Sequence, residues 1–521
     1  MTGSIVLDTT YIILLILAIV YVPIYIWVWR SPKAKEYGLV KYGPCVMVKT
    51  KMGFKLIERL SVYKRFWRAF GVFSNVISFI LMAFIVLVIA VGVLNISASL
   101  AAPGIGVDKA LAIPGINPLL PFWYGWFGLV VAMVIHELAH GFQTRANGMR
   151  VNSTGALYGV VPLGAFVEPN EEDIEKSSRR AKLDLYSAGI TMNFIGAAVA
   201  FLIFAVVLMG GISSSYGDNA GVYRISSDSP ADHAGIPDGA IILSVDGQPY
   251  CYDSTNTFSF DPGSIVTIEY LTKDHQDIPL TKNIQWGVYI ERITDNSPAN
   301  NVLETNTFIR SVTIDGNKTP IHDVTEFLNF MKTTKPGETA AIECVTVADE
   351  DGNFSTFDKE LTLSDNGGIG YIGVSTSTSG MGFITPDAML EIGRNPIYGA
   401  EGIRGTTNAL LSYIAGPVNG YSPIPSSTQW WYDVPLGGSF WIIVSILYWI
   451  FWLNVMLGVS NAIPAIPFDG GFMFQGWFSG LLQRLGLKDE KRREETVSRV
   501  TSALSMVMIF LLILVIAAVA L

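Results

Sequence analysis

The chain has 521 residues, half of them hydrophobic and only 15% of them charged, and its formal net charge is −9. In soluble globular proteins about a quarter of the residues are charged, so this composition excludes that class. It indicates a membrane protein with several spanning helices. The three cysteines, Cys45, Cys251 and Cys344, form neither a C-x-x-C metal pair nor a disulfide framework. Cys251 and Cys344 could meet if both lie outside the cell; otherwise we expect buried thiols.

Six apolar runs of about 20 residues predict membrane-spanning helices. They cover roughly residues 10–29, 74–95, 121–144, 184–210, 439–463 and 500–520. The loop after the first run, over residues 30–72, contains 11 basic residues and only two acidic ones, Glu36 and Glu58. The positive-inside rule places this loop in the cytoplasm, which fixes the orientation of every later helix.

Within this basic loop, the alternating segments Cys45–Lys51 and Phe54–Ile57 predict a short hairpin joined through Met52 and Gly53. The run Lys64–Arg68 is typical of an anchor at the membrane interface. We therefore expect this loop to contact lipid head groups rather than nucleic acid.

The third apolar run contains the stretch Val130–Phe142, in which His136, Glu137 and His140 have the spacing H-E-x-x-H. On a helix, residues i and i+4 lie one above the other, so the two imidazoles can bind one metal ion. Glu137 can then reach a water molecule on that metal. Ionisable groups at membrane depth are costly and usually functional, which favours a metal site over two interfacial histidines bridged by Glu137.

A catalytic zinc site needs a third protein ligand and leaves one position open. The fifth helix ends in Asn461–Gly471, where two prolines and two glycines break the helix and expose backbone groups. Asp469 lies in this break, at the depth of the inner half of the third helix, and is the best-placed carboxylate. Four acidic residues compete for the role: Glu168, Glu171, Glu172 and Asp173. Such a cluster more often forms a solvated face.

Two further stretches belong to the same region. Leu157–Val167 is apolar, too short to span a membrane, and interrupted by Gly159, Pro162 and Gly164. Irregular backbone is tolerated at membrane depth only where protein or a cavity shelters it, so a re-entrant hairpin and an ordinary buried hairpin both remain open. In the fourth helix, Asn193 is a polar group that needs a partner in apolar surroundings, although interhelical packing alone would explain it.

Residues 215–380 are polar and strongly acidic. From Tyr216 to Gly380 there are 24 acidic and 9 basic residues, which predicts a soluble insertion outside the cell after the fourth helix. The insertion repeats: Gly-Val-Tyr, Ser-Pro-Ala, a strand ending in Asp-Gly, and Pro-Gly before another strand occur twice. This order resembles the PDZ domain, and the first copy is the more complete. PDZ domains bind extended peptides at a sheet edge; two space-filling β-domains are the alternative.

Both metal-binding motifs together resemble the site-2 protease family of intramembrane zinc metalloproteases. The resemblance rests on His136–Gly141 and Asn461–Gly471 and covers roughly residues 121–470. Phe468 stands where the family usually has leucine, and Ile190 stands where a proline commonly follows the glycine of its fourth-helix motif. Gly159–Val167 is similar to the family's re-entrant β-loop, and several members carry extracytoplasmic PDZ domains.

The resemblance implies a zinc centre with a proton-transfer group beside it. His136, His140 and Asp469 would bind Zn2+. Glu137 would take the proton from water and later pass it to the leaving amine.

It also implies how a substrate is held. Asn193 would hydrogen-bond the substrate carbonyl or oxyanion, and Asn461 would hold unwound substrate. The loop with Gly159, Pro162 and Gly164 would pair with the substrate as an edge strand. The implied partners are transmembrane protein substrates, the lipid bilayer, and peptides in the PDZ-like grooves.

The prediction for the whole chain is a polytopic α-helical membrane protein with about six transmembrane helices, a re-entrant β-hairpin and an extracytoplasmic insertion of two PDZ-like α+β domains. Its predicted parts are helix 1 (1–29), the cytoplasmic basic loop (30–72), helices 2–4 (73–214), PDZ-like domains (215–285 and 286–380), an extracytoplasmic connection (381–438) and helices 5–6 (439–521).

The predicted function is cleavage of transmembrane segments at a zinc site near the cytoplasmic side of the cell membrane. A catalytically dead scaffold that binds peptides through its PDZ-like domains is one alternative, and a metal-ion transporter is another. The intact Glu137 argues against the scaffold. Polar residues are not spread through several helices, which argues against a transporter.

Overall fold

The computed structural model describes residues 9–97, 120–252, 256, 258–349, 351–419 and 424–520. Their contacts define two compact units. The first unit comprises described residues within 1–208, 410–421 and 442–521, and the second comprises those within 209–409 and 422–441.

The first unit begins with a helix, a hairpin and a short second helix. These elements are α1 (Thr9–Arg30), β1 (Leu39–Tyr42), β2 (Cys45–Thr50) and α2 (Phe54–Ser61). The hairpin predicted in the basic loop is therefore present, but its predicted position was wrong. Gly43, at φ +55°, lies in the turn between its strands. Phe54–Ile57 is helical instead, because Ile57 and Ser61, one helical turn apart, are both buried. Four residues are too few to distinguish the alternating pattern of a strand from the 3.6-residue period of a helix.

A second hairpin lies between long helices. The elements are α3 (Lys64–Leu94), α4 (Phe122–Ala146), β3 (Val151–Tyr158), β4 (Pro162–Pro169), α5 (Glu171–Lys176) and α6 (Arg179–Phe201), which continues in a wider helical turn to Leu208. The tip of the β3–β4 hairpin falls within the predicted stretch Leu157–Val167. Both hairpins join into one antiparallel sheet with the order β1-β2-β3-β4, although their strands are about a hundred residues apart in sequence.

The second unit consists mainly of strands. Its first half contains β5 (Ser213–Ser214), β6 (Ala220–Ile225), α7 (Pro230–His233), β7 (Ile241–Val245), β8 (Gln248–Pro249), β9 (Ile265–Thr272) and β10 (His275–Gln285). Its second half contains β11 (Val288–Ile293), β12 (Thr307–Ile314), β13 (Asn317–Pro320), α8 (Val324–Met331), β14 (Thr339–Thr346) and β15 (Thr356–Thr362). It closes with β16 (Ser364–Asn366), β17 (Ile369–Tyr371), β18 (Val374–Thr378), β19 (Met381–Ile384), α9 (Pro386–Arg394) and β20 (Tyr432–Asp433). Before β20, the helix α10 (Gly402–Ala415) begins in the second unit, and its residues from 410 onwards belong to the first.

The two sequence repeats form corresponding halves of one sheet of 12 strands. Its main order is β10-β9-β7-β6-β19-β18-β11-β12-β14-β15. Strands β6, β7, β9 and β10 of the first repeat correspond to β11, β12, β14 and β15 of the second. Each half has its own apolar core, one around Trp286 and Ile268 and the other around Phe327 and Ile342.

The repeated Asp-Gly pairs make identical turns. All four residues, Asp246, Gly247, Asp315 and Gly316, have positive φ angles between 50° and 78°. A two-residue hairpin turn requires positive φ at both of its residues, because only then does the turn match the twist of the strands. The halves differ elsewhere. The second repeat carries the eight-residue helix α8, whereas the described residues between β8 and β9 of the first repeat contain no helix.

The last two strands of the sheet close both repeats. β18 pairs with β11, and β19 pairs with β6. Between them, Ser379 and Gly380 make a tight turn. The predicted domain boundary at residue 380 therefore falls inside the β18–β19 hairpin. The strand that pairs with β6 of the first repeat, β19, follows the second repeat in the sequence.

Three helices complete the first unit: α11 (Gly438–Asn461, in this unit from residue 442), α12 (Asp469–Arg484) and α13 (Glu490–Ala520). Sequence inspection did not predict α12, and α13 begins ten residues before the predicted span. Among the described residues, six helices are long and apolar enough to cross a membrane: Ile12–Arg30, Lys64–Leu94, Phe122–Ala146, Arg179–Gly211, Gly438–Asn461 and Glu490–Ala520. The chain thus has the helices of a polytopic membrane protein and a β-rich unit.

Candidate metal centre

Helix α4 presents the H-E-x-x-H residues on adjacent turns. His136 and His140 are both buried, and their Nε2 atoms lie 3.1 Å apart. One ligand atom from each of His136, Glu137 and His140 falls within 4.8 Å of the others. The predicted i, i+4 arrangement therefore directs both imidazoles to a single point.

Asp469, the first residue of α12, reaches the same point. Its Oδ2 atom lies 3.1 Å from Nε2 of His136 and 3.3 Å from Nε2 of His140. The two glycines that follow permit this approach. A Cβ on Gly470 would lie 2.5 Å from the carbonyl oxygens of Ala462 and Ile463. The Asp-Gly-Gly sequence thus brings the start of α12 against the chain that leaves α11.

These three atoms fit a zinc ion. Tetrahedral zinc with bonds of 2.0–2.1 Å separates its ligand atoms by about 3.3 Å, which is close to all three measured separations. Two imidazole nitrogens and one carboxylate oxygen also form a known catalytic donor set with one position left open. The residues of this centre therefore fit the metal in both chemistry and spacing.

The surroundings of the histidines fix their orientation. Nδ1 of His140 lies 2.9 Å from the carbonyl oxygen of Leu185 on α6, so Nδ1 carries the proton and Nε2 is left for a metal. Gly189, one turn further along α6, lies directly against both rings. A Cβ at this position would be 2.6 Å from Cε1 of His136 and 2.7 Å from Nε2 of His140. Only glycine leaves room for the imidazoles here.

Glu137 points to the hairpin beside the centre. Its Oε2 atom accepts a hydrogen bond of 2.8 Å from the backbone N–H of Val167 on β4. Two of the competing carboxylates are bound elsewhere: Glu168 pairs with Lys49 at 2.8 Å, and Asp173 pairs with Arg150 at 2.9 Å. Arg150 lowers the pKa of Asp173 to about 2 through its hydrogen bonds. Asp469 is thus the carboxylate that the fold brings to the histidines.

The predicted substrate-binding residues occupy different positions around the centre. Asn193 lies one turn after Gly189 on α6 and is completely buried. Its side-chain nitrogen and oxygen have no hydrogen-bond partner among the described residues. Asn461, at the end of α11, donates to the carbonyl oxygen of Leu457 at 3.0 Å. Gly159 lies in the tip of the β3–β4 hairpin, while Pro162 and Gly164 belong to β4.

Sequence inspection missed one polar residue of this region, Asn454 on α11. It is fully buried, and its Oδ1 atom has no partner in the described part of the chain. A Cβ on Gly196 would lie 3.0 Å from that oxygen and 3.2 Å from Ile135, the residue before His136. The sequence feature that could have identified Asn454 is its position as a polar residue inside an apolar helix.

Comparison with known proteins identifies the family. The sequence profile of peptidase family M50 matches residues 124–508, well over half of the chain. This chain belongs to peptidase family M50. An uncharacterized protein of Methanocaldococcus jannaschii is 31% identical over 191 residues, which are 36% of this chain and 49% of that protein. The chain thus spans about half the length of that relative.

Membership of M50 confirms the site-2 protease family predicted from the two metal motifs. M50 proteins are membrane zinc metallopeptidases, in agreement with the six apolar helices and the His-Glu-His cluster of this chain. The match extends from the beginning of α4 into α13 and therefore includes both H-E-x-x-H and Asp469.

Proposed function

We propose that this M50 protein is an intramembrane endopeptidase that cleaves transmembrane segments of other membrane proteins. Three potential zinc ligands lie 3.1–3.3 Å apart, and the Glu137 carboxylate next to them is bonded to a sheet edge. That combination is the observation that carries the proposal. It joins a hydrolytic centre to a surface that can hold an extended peptide.

The chemistry divides between the metal and the chain. Zinc held by His136, His140 and Asp469 supplies Lewis acidity and lowers the pKa of water. Glu137 accepts the proton of the attacking water and delivers it to the leaving nitrogen as the peptide bond breaks. Asn193, whose amide has no internal partner, donates a hydrogen bond to the substrate oxygen as negative charge develops there.

A transmembrane helix must be unwound before it can be cut, because its peptide groups are hydrogen-bonded to each other. The edge strand β4, which contains Pro162 and Gly164, provides backbone groups that replace those bonds. Asn461, beside the break between α11 and α12, supports the unwound chain. Once extended, the substrate presents one peptide bond to the centre.

The proposed topology places the centre near the cytoplasmic side and the β-rich unit outside. The 11 basic residues of the loop over 30–72 support this orientation. In the same proposal, the two repeats act as PDZ-like modules that dock or size-select trimmed substrates. In protein whose own three cysteines are replaced by serine, a single cysteine at Lys41 should resist a membrane-impermeant maleimide in intact cells, whereas one at Lys273 should react. The reverse pattern would invert the topology.

The decisive experiment measures zinc content and cleavage of a model transmembrane substrate with purified protein. Glu137→Gln should retain zinc and lose cleavage by about a thousandfold, because general acid–base catalysis is removed. Asp469→Ala should lose both zinc and cleavage. Glu172→Ala, at a competing acidic position exposed on α5, is the matched control and should change neither.

Each alternative gives a distinct outcome. If Glu137→Gln cuts as well as wild type, the proposed proton transfer is wrong. If wild-type protein binds zinc but cuts no transmembrane substrate, while peptides bind its repeats, the inactive scaffold is the better description.

A further inference from the structure

The β4 strand has one open edge. Among the described strands, β4 pairs with β3 alone, at the end of the four-stranded sheet. In an antiparallel pair, residues alternate between those bonded to the partner strand and those whose N–H and C=O point away from it. The N–H of Val167 points away, because it donates to Glu137 at 2.8 Å.

The same alternation places Ala165 on the open edge. Val167 lies opposite Thr154 and Ala165 opposite Ala156, two residues further along the pair. Gly164 and Phe166, in the other phase, bond to β3. The tip of the hairpin, next to this edge, is exposed, since Leu163 is 49% exposed and Val160 39% exposed. A peptide can therefore add to β4 at Ala165.

The Glu137 carboxylate closes this edge at the next position. A peptide that pairs with Ala165 would find its next donor, the Val167 N–H, already occupied. The peptide would therefore leave β4 at this point, within the two peptide residues that follow the residue paired with Ala165. Those residues face Glu137, which neighbours the metal ligand His136.

We propose that the Val167 N–H is a positioning group that holds Glu137 across the end of the β4 edge and thereby sets which substrate bond is cut. Glu137 ends the ladder of substrate hydrogen bonds as well as transferring the proton. This inference rests on the proposed function and adds to it a determinant of the cleavage position.

The test replaces single backbone amides by esters in the full-length protein, which deletes one N–H and keeps every side chain. The ester at 167 should lower kcat about tenfold with KM unchanged, because a hydrogen bond to a charged group is lost. Mass spectrometry should then show cleavage spread by two residues along the substrate. The ester at 165 is the matched variant: it should raise KM about fivefold, with the same bond cut and kcat unchanged.

A binding readout separates positioning from catalysis. In metal-free protein, a photo-crosslinking residue at exposed Leu163 should capture the substrate less efficiently with the ester at 165 and equally well with the ester at 167. Zinc content should match wild type for both. Val167→Pro also removes the N–H, and proline is tolerated at a strand edge, so it provides a second variant with the same expected result.

The inference is overturned if the ester at 167 leaves kcat and the cut bond unchanged, or if it raises KM alone. It is also overturned if the ester at 165 affects neither KM nor crosslinking. Failure of the proposed function is recognised separately, because wild-type protein would then cut no transmembrane segment at all.

Discussion

The metal centre and the two-repeat sheet treat buried polar side chains in opposite ways. In the sheet, Gln285 donates to the carbonyl oxygens of Gly263 and Thr346 and accepts from the N–H of Ala348. Asp323 caps α8 through the N–H of Glu326 and accepts from the hydroxyl of Tyr250. Trp286 Nε1 and Ser377 Oγ are the exceptions found in the described part of that unit.

Around the metal centre several buried polar atoms are left unpaired. Nδ1 of His136, both polar atoms of Asn193 and Oδ1 of Asn454 have no hydrogen-bond partner among the described residues. A buried polar group without a partner is destabilising, so folded proteins rarely keep one without a reason. The sheet thus uses its polar groups for structure, and the unpaired groups at the centre support the proposal that they bind water or substrate.

The most severe test removes the space that the centre requires. Gly189→Ala places a methyl group 2.6–2.7 Å from atoms of both imidazoles, so at least one ring must move. We expect zinc to be lost and cleavage abolished. Alanine is favoured over glycine in a helix by about 1 kcal/mol, so the fold itself should persist. Zinc analysis and circular dichroism measure both effects.

Gly211→Ala is the control for this change, because a Cβ there meets nothing within 4 Å. It should keep its zinc and activity. Full zinc occupancy in Gly189→Ala would show that the imidazoles do not need the contact with α6.

A matched pair of substitutions tests the contrast itself. Asn193→Leu removes polar atoms that have no partner, so stability should stay equal or rise by about 1 kcal/mol, while cleavage falls about a hundredfold. Gln285→Met removes the donor to two carbonyl oxygens and the acceptor for one N–H, and should lower stability by about 2–3 kcal/mol. Thermal unfolding and cleavage assays of both proteins compare these effects. A large loss of stability in Asn193→Leu would mean that this amide is structural.

The sequence predicts those features that depend on local spacing. Six apolar runs, H-E-x-x-H and the Asp-Gly-Gly break follow from composition and helical periodicity alone. The two Asp-Gly turns follow from the need for positive φ at both turn residues. These features need no knowledge of distant contacts, and the family match includes both metal motifs.

Features made by distant pairing were not predictable. The sheet that joins β2 to β3 brings together segments about a hundred residues apart, and β19 returns to β6 across the entire second repeat. Gly189 could be noticed as a small residue, but its contact with the imidazoles depends on how α4 and α6 pack. The bond from Val167 to Glu137 likewise depends on the position of β4, which no periodicity fixes.

The smallest expected effect concerns the apolar core of the second repeat. Cys344 is fully buried there and its thiol is not in a disulfide. Burial raises the pKa of this thiol to about 12, because the thiolate would lose its hydration. The folded protein therefore keeps the proton at a pH where the unfolded chain, with a thiol pKa of about 8.5, releases it. This contribution to stability is complete below about pH 8.5 and is lost as the pH rises towards 12.

Iodoacetamide at pH 9 should leave the peptide with Cys344 unmodified in the native protein and label it fully in guanidinium chloride. Rapid native labelling would show that this core opens to solvent, and the contrast between a closed sheet and an open centre would then be lost.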